Sequence, residues 1–294
     1  MPDRSRFDDL FAQSARVPAE PEPPRRNPLQ WMLLPLALIA INGAVWVWNI
    51  SQGVSWASPK PAELEAWGGN IALLSLTEQP WRLLTSMFLH AGAMHLFFNM
   101  YFLFQIGPLL VQRKGQAGFA VVYLGGGLLS SLASAWWQAI TMFSKGAAPA
   151  ANGLPPLKLI VSVGASGAIM AVAGALACNL VLQHYRAQPG GSGHGGYGAL
   201  ADKQLMQSLL RVIGINVAMG FFIPGLDQAA HLGGLLAGAL LGFILPAAAD
   251  RLPAPTRWLR TAAAAGLSAA LLLGGWMLAA NMPQIQQIKA IMLQ

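Results

Sequence analysis

The stretch VSVGASGAIMAVAGALACNLVL, residues 161–182, is apolar over a length that crosses a bilayer, yet it opens with Ser166 set between Gly164 and Gly167. A serine hydroxyl is a weak nucleophile, and hydrocarbon excludes the water that hydrolysis needs. Ser166 is therefore either a packing residue or a group placed to react. The rest of the chain decides between the two.

The 294 residues are 55% hydrophobic and only 10% charged, where soluble domains carry roughly a quarter charged residues. That balance predicts an all-α polytopic membrane protein. Apolar runs of spanning length occur at about 31–49, 86–110, 118–142, 162–184, 206–224, 228–248 and 261–281, which predicts seven spans. The net charge of +7 does not form a nucleic-acid patch, because the basic residues sort by side of the membrane. With alternating spans, Arg4, Arg6, Arg16, Arg25, Arg26, Arg113, Lys114, Arg186, Lys203, Arg211, Arg251, Arg257 and Arg260 share the N-terminal side. Only Lys60, Arg82, Lys145, Lys158 and Lys289 fall opposite. The positive-inside rule then puts the N-terminus in the cytoplasm and the C-terminus outside.

Residues 1–28, polar and proline-rich, are expected to be a disordered cytoplasmic tail rather than a cleavable signal. Residues 29–248 form the expected six-span core, and 249–294 a linker, the seventh span and a short tail. The loop after the first span carries Trp56, Trp67 and Trp81, suited to anchoring at the interface. The segment 186–203 is glycine-rich and expected to be flexible, and Ile285, Ile288 and Met292 are spaced for a short interfacial helix. A lone cysteine, Cys178, rules out an intrachain disulfide.

Polar groups inside spans are costly and mark function. The second span holds His90, His95 and Asn99, the fourth Ser166, and the sixth His231. These three spans run in the same direction, and each polar group lies in the first few turns, on the order of 5–15 Å below the outer surface. A serine beside a histidine base is an activated nucleophile. His95 and Asn99, four apart on one helix face, are two donors suited to an oxyanion, and the backbone N–H of Ser166 at a helix start is a third. Gly167, Ala171, Gly174 and Cys178 on one helix, and Gly234, Gly238 and Gly242 on the other, allow the close approach that would join hydroxyl to imidazole. Asp227, four residues before His231, is read as an N-cap for the sixth helix, so the expected unit is a dyad. His90 is read as structural, His184 as a partner of a helix C-terminus, and His194 as part of the flexible loop. No H-E-x-x-H and no intramembrane carboxylate accompany the histidines, so no metal is expected.

The pieces Trp81–Arg82, HAGAMHLFFN (90–99), GASG (164–167) and AHLGGLLAG (230–238) together resemble the rhomboid intramembrane serine proteases. The resemblance covers about residues 31–247 and implies a rhomboid-like six-helix bundle with an added seventh transmembrane helix. It implies Ser166 as nucleophile, His231 as base, and His95, Asn99 and the Ser166 N–H as oxyanion hole, with Gly164, Gly167, Met170 and Gly234 in support. It further implies cleavage of transmembrane protein substrates near the outer face of the lipid bilayer, without metal, ATP or other cofactor, in a bacterial inner membrane. Substrate would pass sideways between the second and fifth helices, with the loop before the sixth as a lid. Met170 stands where many relatives carry an aromatic residue, and Val111, four before Gly115, where many carry a glutamate. The competing reading is a proteolytically inactive relative that binds membrane clients; it would lack the serine or the histidine. A transporter would show inverted repeats and helices broken at midplane, which this sequence lacks.

Overall fold

A computed structural model of the chain describes residues 29–143, 159–186, 197–222, 227–247 and 252–292. The expected tail at 1–28, most of the glycine-rich loop, and the loop before the sixth span lie outside the described residues. Regular structure among the described residues is helical apart from isolated β-bridge residues, among them the Asn70–Ser162 pair. The order is α1 (Leu29–Ser51), then three short helices of the first loop, α2 (Pro61–Ala66), α3 (Ala72–Ser75) and α4 (Arg82–Thr85). A 3-10 turn (Ser86–Phe88) leads to α5 (Ala93–Ala120), a π-helical turn (Val121–Gly125) and α6 (Gly126–Thr141). There follow α7 (Ser166–Arg186), α8 (Tyr197–Phe222), α9 (Gln228–Ile244), α10 (Ala254–Ala280) and α11 (Pro283–Met292).

α1, the run from Ala93 to Thr141, residues 166–183 and α10 are each long and apolar enough to cross a membrane, and α9 is a shorter apolar helix. Their outward faces carry large apolar side chains, among them Trp48, Phe97, Leu236, Phe243 and Leu259, all more than half exposed. Such a surface is unfavourable in water and suits hydrocarbon. The protein is an integral membrane protein with an all-α, polytopic fold.

Two predicted spans start later than hydropathy suggests. The run assigned to 86–110 enters its long helix only at Ala93, and the run assigned to 162–184 only at Ser166. In both cases a glycine holds the chain outside the helix. Gly92 precedes Ala93 with φ +105, and Gly164 lies two residues before Ser166 with φ +123. Only glycine adopts such angles without strain. In the first of these runs Met87 and Leu89 are apolar because they are buried in protein, which hydropathy cannot distinguish from burial in lipid.

The first loop is a folded platform. Arg82 is buried and donates to the carbonyls of Glu65 (2.6 Å) and Gly69 (3.0 Å) and to Gln79 Oε1 (2.6 Å), with its guanidinium 5.0 Å from the Trp81 ring. Asn70 and Ser162 exchange two backbone hydrogen bonds of 2.9 Å, which form the β-bridge, and the Gly164 N–H donates to the Ser86 carbonyl (2.8 Å). The platform thus holds the extended run that leads to Ser166. Trp56 and Trp81 remain exposed on it.

α7 and α9 pack backbone to backbone. A Cβ added at Gly234 would sit 2.2 Å from the Gly167 carbonyl oxygen, one at Gly238 1.9 Å from that of Ala171, and one at Gly174 2.1 Å from that of Leu235. Ala175, rather than Cys178, meets Gly242 at the far end of the stripe. Where α5 breaks at Gly115, Lys114 Nζ donates to the Gly242 and Leu245 carbonyls (2.9 and 2.8 Å) at the end of α9. This bond ties the turn to the bundle beside Val111, which is buried and apolar.

The seventh long helix is no loose appendage. Trp136 Nε1 on α6 donates to the Gly275 carbonyl (3.0 Å), and Trp276 Nε1 on α10 donates to the Ser75 carbonyl (2.8 Å). α11 does form where Ile285 and Ile288 are spaced for it, but its apolar face is turned to protein. Both isoleucines are buried against Ala72, Leu76 and Leu83 of the loop and Leu132, Ala135 and Met142 around α6.

Gly238→Ala should therefore cost about 1–3 kcal/mol, the range for overpacking a tight contact. Gly274→Ala, where an added Cβ meets nothing within 4 Å, should be neutral or slightly stabilising. Thermal unfolding of both variants in one detergent checks the contrast; equal melting temperatures would show that α7 and α9 separate freely.

Candidate active site

Ser166 is the first residue of α7, and its backbone N–H belongs to the first turn, whose amides lack intrahelical partners. His231 lies in the first turn of α9. Since the glycine stripes bring the helix backbones together, the two first turns lie side by side, and Ser166 Oγ is 2.9 Å from His231 Nε2. The imidazole is 3% exposed. Its other nitrogen, Nδ1, has no hydrogen-bond partner among the described residues.

The carboxylate of Asp227 does not reach that nitrogen. One of its oxygens accepts the Ala230 N–H (2.9 Å) as the N-cap of α9. The other accepts the Ser134 hydroxyl. The N-cap reading of Asp227 holds, and among the described residues no carboxylate bonds the ring of the serine–histidine pair.

From the opposite wall comes His95. The Ala91 N–H donates to His95 Nδ1 (3.2 Å), so the neutral ring carries its proton on Nε2. That nitrogen would lie 2.8 Å from a Cβ placed on Gly164. Glycine at 164 thus serves twice, supplying the positive φ and clearing room for the ring. Asn99 sits behind this layer, 4% exposed, with one amide hydrogen given to the His95 carbonyl (2.9 Å). Its Nδ2 would be 3.7 Å from the same Gly164 Cβ position.

Ser166, His231, His95, Gly164, Gly167 and Ser86 line a common cavity of about 310 Å³. Asn99 does not reach its wall. Gly234 lies in the helix contact and Met170 is buried one turn along α7, so both act from behind. His90 is buried edge-on to His95, with ring centroids 5.2 Å apart. A larger cavity of about 880 Å³ lies between α6, α9 and α10, lined by Leu132, Trp136, Trp137 and Leu236. It lacks a nucleophile–base pair.

Three polar residues escaped notice in the sequence: Ser130, Ser134 and Gln138. All are buried on one face of α6, against the start of α9. The signal was present in LLSSLASAWWQ (128–138), where polar side chains recur every four residues inside an apolar run. Small hydroxyls in membrane helices read as packing, which hid them.

Comparison with known proteins places the chain in a family. The Rhomboid domain matches residues 77–248. A mitochondrial RHOMBOID-like protein 6 of Arabidopsis thaliana is 33% identical over 169 residues, which is 57% of this chain and 44% of that protein. Rhomboid protease AarA of Providencia stuartii is 32% identical over 216 residues, 71% of this chain and 70% of its own. Rhomboid protease GluP of Bacillus subtilis is 28% identical over 190 residues, covering 63% of this chain and 30% of its own. The matched stretch thus spans less than half of the first and third of these relatives. Because the domain covers more than half of the chain, including the end of the first loop, the α5 motif, α7 and α9, this chain belongs to the rhomboid family.

Proposed function

We propose that the protein is an intramembrane serine endopeptidase that hydrolyses peptide bonds in or near transmembrane segments of other membrane proteins. The observation that carries this reading is the 2.9 Å contact between Ser166 Oγ and His231 Nε2 on the wall of a cavity that His95 also lines. Ser166 Oγ attacks the scissile carbonyl while His231 Nε2 takes its proton, then passes that proton to the leaving amine. The resulting acyl-enzyme is hydrolysed by water activated through the same base. For Nε2 to accept, the ring must carry its resting proton on Nδ1. As that position has no partner, the ring is held by its burial and its helix.

The oxyanion is met by the Ser166 N–H and by His95 Nε2–H, whose tautomer the Ala91 N–H selects; Asn99, one layer behind, has a remaining amide hydrogen that completes the donor set when substrate fills the cavity. Water reaches the cavity from the outer face, toward which the first turns of α7 and α9 point in the N-in topology that the basic residues favour. In a bacterium this would be the inner membrane. The family's sideways substrate path between the second and fifth spans fits a scissile segment that arrives from lipid.

Ser166→Ala and His231→Ala should each abolish cleavage of a reporter transmembrane substrate. Ser166→Ala should also lose labelling by a fluorophosphonate probe; label retained on that variant would locate the nucleophile elsewhere. Asn99→Ala should lower kcat by about 10²–10³-fold with little change in KM, as for loss of one oxyanion donor. Unchanged turnover would remove Asn99 from the site. Gly164→Ala should be as inactive as Ser166→Ala, because the new methyl displaces His95 and strains a backbone at φ +123. Activity near wild type in this variant would show that His95 makes no contribution.

A further inference from the structure

We propose that Asp227 is the positioning residue of the serine–histidine pair, acting through the helix turn that carries His231 and not through the imidazole. This rests on the reading of Ser166 and His231 given above. A base with one unpartnered nitrogen must be aimed by something other than a hydrogen bond to its ring, and the residues before it are fastened at several points. The Asp227 carboxylate caps α9 by accepting the Ala230 N–H, one residue before His231. The Ala230 carbonyl accepts from Ser130 Oγ (2.7 Å). The His231 N–H itself donates to the Asp227 carbonyl (3.2 Å).

The carboxylate is in turn the end of a directed chain. The Ala72 N–H in the first loop donates to Gln138 Oε1 (3.1 Å), Gln138 Nε2 donates to Ser134 Oγ (3.0 Å), and the Ser134 hydroxyl donates to Asp227 Oδ2. Every donor points the same way, toward one anion. Each bond polarises the next, and the last is charge-assisted. Ser134 is 0% and Gln138 5% exposed, so the chain runs where an unmade hydrogen bond is costly. Ser130, Ser134 and Gln138 recur every four residues, so one face of α6 fixes the angle of α9 about its first turn. The first loop, which also holds the run leading to Ser166, fixes α6 at the Ser131 carbonyl and at Gln138. Nucleophile and base are thus referred to the same platform.

The test uses the full-length protein in detergent with a reporter transmembrane substrate, and counts competent sites by fluorophosphonate titration so that misfolded molecules drop out of the rate. Ser134→Ala and Asp227→Asn should each lower kcat per titrated site by about tenfold, with KM within twofold of wild type. Asparagine still caps a helix, so Asp227→Asn keeps the first turn but cannot accept the Ser134 hydroxyl at its amide nitrogen. The double variant should be no slower than the slower single variant, because both break the same chain. Wild-type kcat in Asp227→Asn, a raised KM at constant kcat, or fully additive losses would each overturn the proposal. If the wild type itself were neither labelled at Ser166 nor able to cleave, the underlying protease reading would have failed instead.

Discussion

The site depends on how closely two helix backbones approach. In α7 and α9 the facing positions are Gly167, Ala171, Gly174 and Ala175 against Gly234, Gly238 and Gly242, so near that a methyl added at Gly174, Gly234, Gly238 or Gly242 would meet a carbonyl oxygen or an α-carbon, while one at Gly167 would meet the Ser130 hydroxyl of α6. In hydrocarbon there is no hydrophobic gain from burying one apolar helix against another, and such contact is held by dispersion and weak Cα–H···O bonds along the whole stripe. Larger side chains anywhere on that stripe would push the first turns apart. A hydroxyl and an imidazole two helices apart would then have no common hydrogen bond, whatever their identity.

Contact sets the distance; the first loop sets the angle. Its buried Arg82 gathers carbonyls from Glu65 and Gly69 and so turns an irregular chain into a rigid block. That block reaches the run before Ser166 through Asn70 and Ser86, and the Asp227 cap of α9 through Ala72, Gln138 and Ser134. Irregular backbone at this depth is tolerated because protein, and not lipid, surrounds it.

Much of this was legible before any coordinates. The glycine stripes, the first-turn placement of Ser166 and His231, and the capping role of Asp227 follow from periodicity and from the cost of polar groups in hydrocarbon. The structure brings Ser166, His231, His95 and Gly164 to one cavity, and leaves Asn99 a layer behind. What pattern could not show was anything dependent on loop conformation. The late starts of α5 and α7 follow from positive φ at Gly92 and Gly164, which no hydropathy window registers. The polar row of α6 was passed over because serine is common in membrane helices. The spacing of the α11 isoleucines suits a membrane interface, since it reveals an apolar face but not what covers it.

That covering has a temporal side. Trp276 is bonded to Ser75 across 201 positions of sequence, and Ile285 and Ile288 complete a cluster begun by Ala72, Leu76 and Leu83. A ribosome delivers the platform early and its last apolar neighbours late. Until α10 has entered the bilayer and α11 has folded back, Leu76 and Leu83 lack part of their packing. Non-local closure of this kind is slow and leaves the newborn chain incomplete at its outermost layer. A nascent membrane protein assembled in this order would acquire its rigid upper surface only as translation of these helices finishes.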